Sequence, residues 1–435
     1  MGVQVENLHK YRLGLKSLVG IFAILISFLL IQLISFTPSF ELNSSLGVIV
    51  LLYASIKLIG VSSNIPAFIV SLIVLFYFIS TFIPYTLGYQ ISPYEAFQES
   101  YYIGKSMYLY ILFVFIFFLF LKRSKPIVNK EFYLLSNSAI FPVALIWILL
   151  LLLTIYGKGG ETIFAGGGYN NSNSVGQTFY EYFSFFLVMI FLLYRKKKSF
   201  YFLIPVISLY IIKALLYGAR VEVVEVVLVV IFFWWGNNIK VKFLLPIILL
   251  GYVASEVFAV IRVYPNFLNL DLETVKEIFF PSDERAKVLF SNAGDVFYAS
   301  NRIISLSDIE LITSEVKFKS FTTLFLPFNF FSNSDLASFM VDQYKAGGGG
   351  LIFGYFYVWL GIFGVFISAM FLSIIVNSYS WKTPPIYSIM VFPYVIRWFA
   401  YNPVTLLKHG IMCSVFIYLL LQFYKLNRTV VKKAW

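Results

Sequence analysis

Charge is what this sequence has least of. Asp, Glu, Lys and Arg make up 12% of its 435 residues, where a soluble domain carries roughly 25%. A water-soluble fold of this length could not hide the apolar surface that remains. Cysteine is nearly absent: Cys413 is alone and sits inside an apolar run, which excludes a disulfide framework. Histidine is almost as scarce, with His409 the only one outside the N-terminal tail. No Asp, Glu and His cluster stands at metal-ligand spacing, and Glu41 is a single acid in the first outer loop. Short alternating strands are missing too, which argues against a β-barrel.

What is there instead is apolar and continuous. Hydrophobic residues make up 60% of the chain and aromatics 20%, including 49 Phe and 31 Tyr. The apolar runs are about 17 to 25 residues long, the length a helix needs to cross a bilayer. The expected fold is an all-α polytopic membrane protein of about twelve spans. They are placed near 17–37, 45–62, 66–87, 107–121, 133–156, 178–194, 199–217, 220–235, 243–262, 351–376, 385–402 and 409–424. The first run follows Lys10, Arg12 and Lys16 and lacks a small-residue cleavage site, so it is expected to be retained.

A net charge of +12 could point to nucleic acid. The placement of the charges rejects that partner. Basic residues cluster between apolar runs: Lys122 to Lys130, Arg195 to Lys198, Lys240 and Lys242, Lys382, and Lys425 to Lys433. With a cytoplasmic N-terminus, every one of these segments falls inside, as positive-inside bias requires. Both termini are then cytoplasmic. Spans 1–9 occupy residues 1–262, a long outer loop fills 263–350, and residues 351–435 carry the last three spans and an inner tail. The loop holds 11 of the 21 acidic residues, and amphipathic stretches such as 283–305 suggest a small helical cap. A second outer loop at 157–177 is rich in Gly and Asn and reads as a connector.

Ionisable residues inside apolar runs cost about 2.5–3.5 kcal/mol each at a helix centre. They are Lys57, Lys213, Arg220, Glu222, Glu225, Glu256, Arg262, Arg397, Lys408 and His409. The span order puts Arg220, Arg262, Arg397, Lys408 and His409 at one level, just below the outer surface. Snorkelling to headgroups is the plain alternative for each alone. Glu222 and Glu225 lie three apart on one helix face and suit either partners of an arginine or catalysts. Several cations at that level suit a lipid phosphate or diphosphate, which guanidinium binds in bidentate fashion. Tyr94, Tyr101, Tyr102 and Tyr169 could stack on sugars, although interfacial anchoring explains them as well.

Two segments carry a resemblance. LLYGARVEVVEVVL at 215–228 has a Gly-x-Arg opening a span after a short outer turn. YKAGGGGLIFGYFYVWLGIFGVF at 344–366 has a glycine run leading from the long loop into an aromatic span. With twelve spans and a large loop between the ninth and tenth, the chain resembles the O-antigen polymerases, the Wzy-type polymerases of lipid-linked oligosaccharide repeat units. The resemblance implies a GT-C-like fold in the bacterial inner membrane. It implies a reaction on the periplasmic face, in which a growing glycan leaves undecaprenyl diphosphate for a hydroxyl of the next lipid-linked unit. It makes Arg220 a functional candidate. A chain-length regulator protein and membrane lipids are the implied partners.

That chemistry needs preorganised cations where charge develops on the leaving diphosphate, and a base for the acceptor hydroxyl. Arg220, Arg397 and His409 are the expected catalytic residues. Arg262, Lys408, Glu222, Glu225 and Tyr217 are expected to hold substrate. No metal or other cofactor is required. The rival readings are a lipid-linked oligosaccharide flippase or other carrier, which predicts charges near the midplane, and an O-antigen ligase.

Overall fold

The computed structural model describes residues 38–89, 100–123, 140–156, 182–193, 201–216, 220–235, 292–326, 349–379 and 385–433, with a few isolated positions between them. Among the described residues the chain is 87% helix, with no strand.

Helix α1 (Phe40–Val61) starts where Ser39 accepts a hydrogen bond from Leu42 N. Helix α2 (Ile65–Thr86) starts where Asn64 accepts from Ala67 N, with a proline in its first turn. Both caps satisfy amides that a helix start leaves orphaned. With α3 (Ser100–Phe120) these are the three described helices long and apolar enough to cross a membrane. Helix α2 is 72% buried and α1 only 22%. The bare side of α1, with Ile49, Leu52, Ile56 and Ile59 exposed, is the face such a helix turns to lipid. Asn43 joins the three: its amide donates to Gly104 O at 2.8 Å and to Tyr85 OH at 3.2 Å.

Helices α4 (Ile140–Tyr156), α5 (Phe183–Leu193), α6 (Ile204–Leu216) and α7 (Arg220–Val229) form a second packed set. Phe183 and Tyr210 stack across it with centroids 3.8 Å apart. Helix α7 continues into a π-helical turn, Val230–Trp235.

Within the long polar segment, helix α8 (Asn292–Asp308) runs beside the first half of α3. Phe297 stacks near Tyr110 at 6.2 Å, Ser106 donates to Asn301 at 3.2 Å, and Asp308 meets Lys105 at 2.6 Å. The reason is the apolar face of α8. Val296, Phe297, Ile303 and Ile304 are buried, and only contact with other helices removes them from water. Helix α9 (Ser314–Thr323) follows, capped by Thr313.

The expected span 351–376 is two helices, α10 (Ile352–Leu360) and α11 (Ile362–Ser378), broken at Gly361 with φ +61°. That backbone region favours glycine. Helix α10 folds back on α11, and a Cβ added at Gly364 would overlap the Phe356 carbonyl. At the far end of α11, Asn377 donates to Phe120 O and accepts from Lys122 N, both at 2.9 Å, closing α3. Hydropathy runs unbroken through this segment, so it marks an apolar stretch without marking the fold in it.

Span 385–402 is likewise segmented into α12 (Ile386–Val391), a 3-10 turn Phe392–Tyr394 and α13 (Val395–Ala400). A π-helical turn, Thr405–His409, then leads into α14 (Gly410–Lys433). The end of α13 is tied to the start of α10: Gly350 N donates to Tyr401 O at 3.1 Å, and Tyr355 OH donates to the same oxygen at 3.0 Å.

Candidate functional site

The buried charges meet in one place. Glu222 and Glu225 lie on the same face of α7, three residues apart. Arg397, on α13, reaches both: its Nε donates to Glu225 Oε1 at 3.0 Å, and its Nη2 lies 3.4 Å from Glu222 Oε1. Ser184 on α5 donates to Glu225 Oε2 at 3.3 Å, and its oxygen lies 3.1 Å from the Tyr394 hydroxyl. Glu225 is 1% exposed, Glu222 9% and the Arg397 side chain 21%. Three segments far apart in sequence therefore converge on one ionic group.

Phe399, two residues beyond Arg397, packs against Tyr77 at 5.7 Å and Phe113 at 6.1 Å. Both partners lie near the middle of α2 and α3. The group also carries two carboxylates against one guanidinium. Arg397 is held by the glutamates rather than presented bare to an anion. What the arrangement offers chemically is a carboxylate oriented by a fixed cation, with Glu222 at the longer contact.

Two other cations inside apolar helices have structural explanations. Lys213 is fully buried on α6, and its Nζ donates to Thr154 O at 2.9 Å and Ile155 O at 2.7 Å. These are carbonyls in the last turn of α4, where orphan acceptors and the helix dipole favour a cation. Lys57 does the same for α3, donating to Leu121 O at 3.3 Å and lying 5.6 Å from the Tyr53 ring centroid.

The remaining expected site residues separate into those placed and those not. Arg220 opens α7, about 7.5 Å along the helix from Glu225 at 1.5 Å per residue; its side chain lies outside the described residues. Tyr217, Glu256 and Arg262 also lie outside them. Lys408 is half-buried and His409 exposed, both on the π-helical turn before α14. Such turns inside α-helices frequently mark functional sites.

A second polar cluster was not singled out from the sequence. Lys105 on α3 is 2.6 Å from Asp308 Oδ2, Tyr357 on α10 donates to Asp308 Oδ1 at 2.8 Å, and the Lys105 ammonium lies 5.1 Å from the Tyr357 ring centroid. The signal was available: α3 begins at Ser100, earlier than the expected 107, so Lys105 belongs to the helix rather than to a loop. Beside it opens a cleft of about 620 Å³ between α8, α9 and α10, with Asp308, Glu310, Thr313, Lys317, Tyr357 and Trp359 among its lining residues. On the outer side of α9, Lys319 pairs with Glu315 and holds its carboxyl below the ordinary range. That pair is solvated and contributes little to stability.

Among the described residues no group of three His, Cys, Asp or Glu side chains could hold a metal ion. No protein-family model matches the chain, and comparison with curated proteins and with solved structures finds no match.

Proposed function

We propose that this chain is a membrane glycosyltransferase that polymerises oligosaccharide repeat units carried on undecaprenyl diphosphate, on the outer face of a bacterial inner membrane. In this reading about twelve spans build a GT-C-like frame, both termini are cytoplasmic, and the 263–350 loop is periplasmic. The observation that carries it is the Arg397–Glu225–Glu222 group. It is a buried, hydrogen-bonded ionic cluster in an otherwise apolar bundle, and unlike Lys57 and Lys213 it caps no helix end.

The proposed division of labour follows from charge. Arg220, Arg262 and Lys408 supply the cations for the lipid diphosphate. A glutamate of the Arg397 group accepts the proton of the acceptor hydroxyl. The acceptor oxygen forms a bond to the anomeric carbon, the carbon–oxygen bond to phosphate breaks, and undecaprenyl diphosphate leaves with the electron pair. Arg397, in contact with both carboxylates, holds them in position. His409, on the neighbouring turn, is the second candidate for the base. No step calls on a metal.

One observation favours a second reading. A charged group near the middle of α2 and α3 suits a carrier, whose substrate site lies at the midplane. The surface glycan profile of a deletion strain separates the two. Single repeat units on their final lipid anchor mean a polymerase. Loss of outer glycan with lipid-linked units retained inside means a flippase.

A further inference from the structure

We infer that the cleft between α8, α9 and α10 is a saccharide-binding subsite, distinct from the Arg397 group. The inference rests on the proposed function for the identity of its ligand and on the cleft itself for everything else.

The volume of about 620 Å³ falls within the roughly 300–1,000 Å³ range of ligand sites. Most ligand sites are apolar with a few polar anchors, and this one departs from that pattern. Its lining includes carboxylates at Asp308 and Glu310, hydroxyls at Ser307, Thr313 and Ser314, an ammonium at Lys317 and the aromatic residues Tyr357 and Trp359. A ligand dense in hydroxyl groups matches such a wall, because it can donate to carboxylates and accept from hydroxyl and ammonium groups. An acyl chain does not, since it would leave those groups desolvated and unpaired. The charges exclude a diphosphate as well. Asp308 is held by Lys105 and Tyr357, Glu310 adds a negative charge, and Lys317 donates to Ser307 O at 3.4 Å. The wall is close to neutral, not cationic.

The parts are also held in place. Trp359 Nε1 donates to Ser320 Oγ at 2.8 Å, and its ring packs on Phe356 and Phe321. This fixes the indole between α9 and α10. Glu310 has φ +59°, the left-handed conformation that favours glycine, just past the end of α8. A glutamate kept there at a backbone cost fits a side chain that is used.

Helix α10 joins this subsite to the Arg397 group. Its first turn is bonded to Tyr401 at the end of α13, and Tyr357 and Trp359 lie on its later turns. From Leu351 to Trp359 the helix rises about 12 Å at 1.5 Å per residue.

The test uses the full-length protein in nanodiscs and two probes. The first is the oligosaccharide pool released by mild acid from the lipid fraction of the source strain, read by saturation-transfer NMR. The second is farnesyl diphosphate, read by isothermal titration. Ser314→Trp fills the cleft from an exposed position on the first turn of α9, and Glu310→Gln removes a charge without a volume change. The subsite predicts a tenfold or greater loss of oligosaccharide binding in both variants, with farnesyl diphosphate binding unchanged. Oligosaccharide binding equal to wild type in both variants overturns it. Failure of the functional reading looks different: farnesyl diphosphate does not bind the wild type at all, whatever the cleft variants do.

Discussion

Arg397 Nε and Glu225 Oε1 meet at 3.0 Å although 172 positions separate them in the chain. The contact joins α13 to α7, and Glu222 adds a second carboxylate at 3.4 Å. A buried ion pair offsets its desolvation only while both partners are present. Removing one partner costs about 3–5 kcal/mol, because the other charge stays buried and uncompensated. Arg397→Ala should therefore lower the melting temperature strongly. The triple change Arg397→Ala, Glu222→Gln, Glu225→Gln should recover most of that loss, since no net charge is left behind. Thermal unfolding of the purified variants checks both.

Lys213 makes the opposite kind of prediction. Its Nζ is occupied by Thr154 O and Ile155 O. Lys213→Met should cost about 1–3 kcal/mol through the unpaired carbonyls and leave polymer yield per folded molecule unchanged. A large fall in that yield, measured against membrane protein level, would give Lys213 a role beyond closing α4.

The hairpin of α10 and α11 depends on Gly364. Alanine there would press its Cβ into the Phe356 carbonyl. Overpacking of this kind costs about 1–3 kcal/mol. Gly364→Ala should reduce the unfolding temperature, whereas Gly410→Ala should be milder because the side chains of Val391 and Tyr387 can yield. Equal effects of the two would show that the backbone approach is not the cause.

At Glu310 the prediction runs toward stability. A non-glycine residue at φ +59° pays roughly 1–2 kcal/mol, and glycine recovers part of that despite its greater freedom in the unfolded chain. Glu310→Gly should raise the melting temperature slightly and weaken oligosaccharide binding. A stabilised variant with undiminished binding would leave the strain without a functional explanation.

These cases show what could be read from the sequence and what could not. The extents of α2 and of α7 with its π turn match the apolar runs at 66–87 and 220–235 within one residue, whereas α1 starts at Phe40, five residues before the expected 45, because the Ser39 cap lies in a polar stretch. The break at Gly361 was not legible, because hydropathy reports burial and not backbone direction. The insertion of α8 was visible only as amphipathicity, which tells that an apolar face must be covered but not by which helix. For the site, charge cost alone singled out Glu222, Glu225 and Arg397 as needing partners. It could not say that they partner one another, since pairing across such a separation is a property of helix packing. Span order locates Arg397 along its own segment only, whereas the contacts of Phe399 with Tyr77 and Phe113 locate that segment against other helices.

The most direct test of the central claim is the surface glycan profile of a deletion strain complemented with the Arg397→Ala, Glu222→Gln, Glu225→Gln variant at wild-type membrane levels. The account predicts glycan of single repeat units, with polymer restored only by the wild-type chain. A full-length polymer ladder from the triple variant would contradict it.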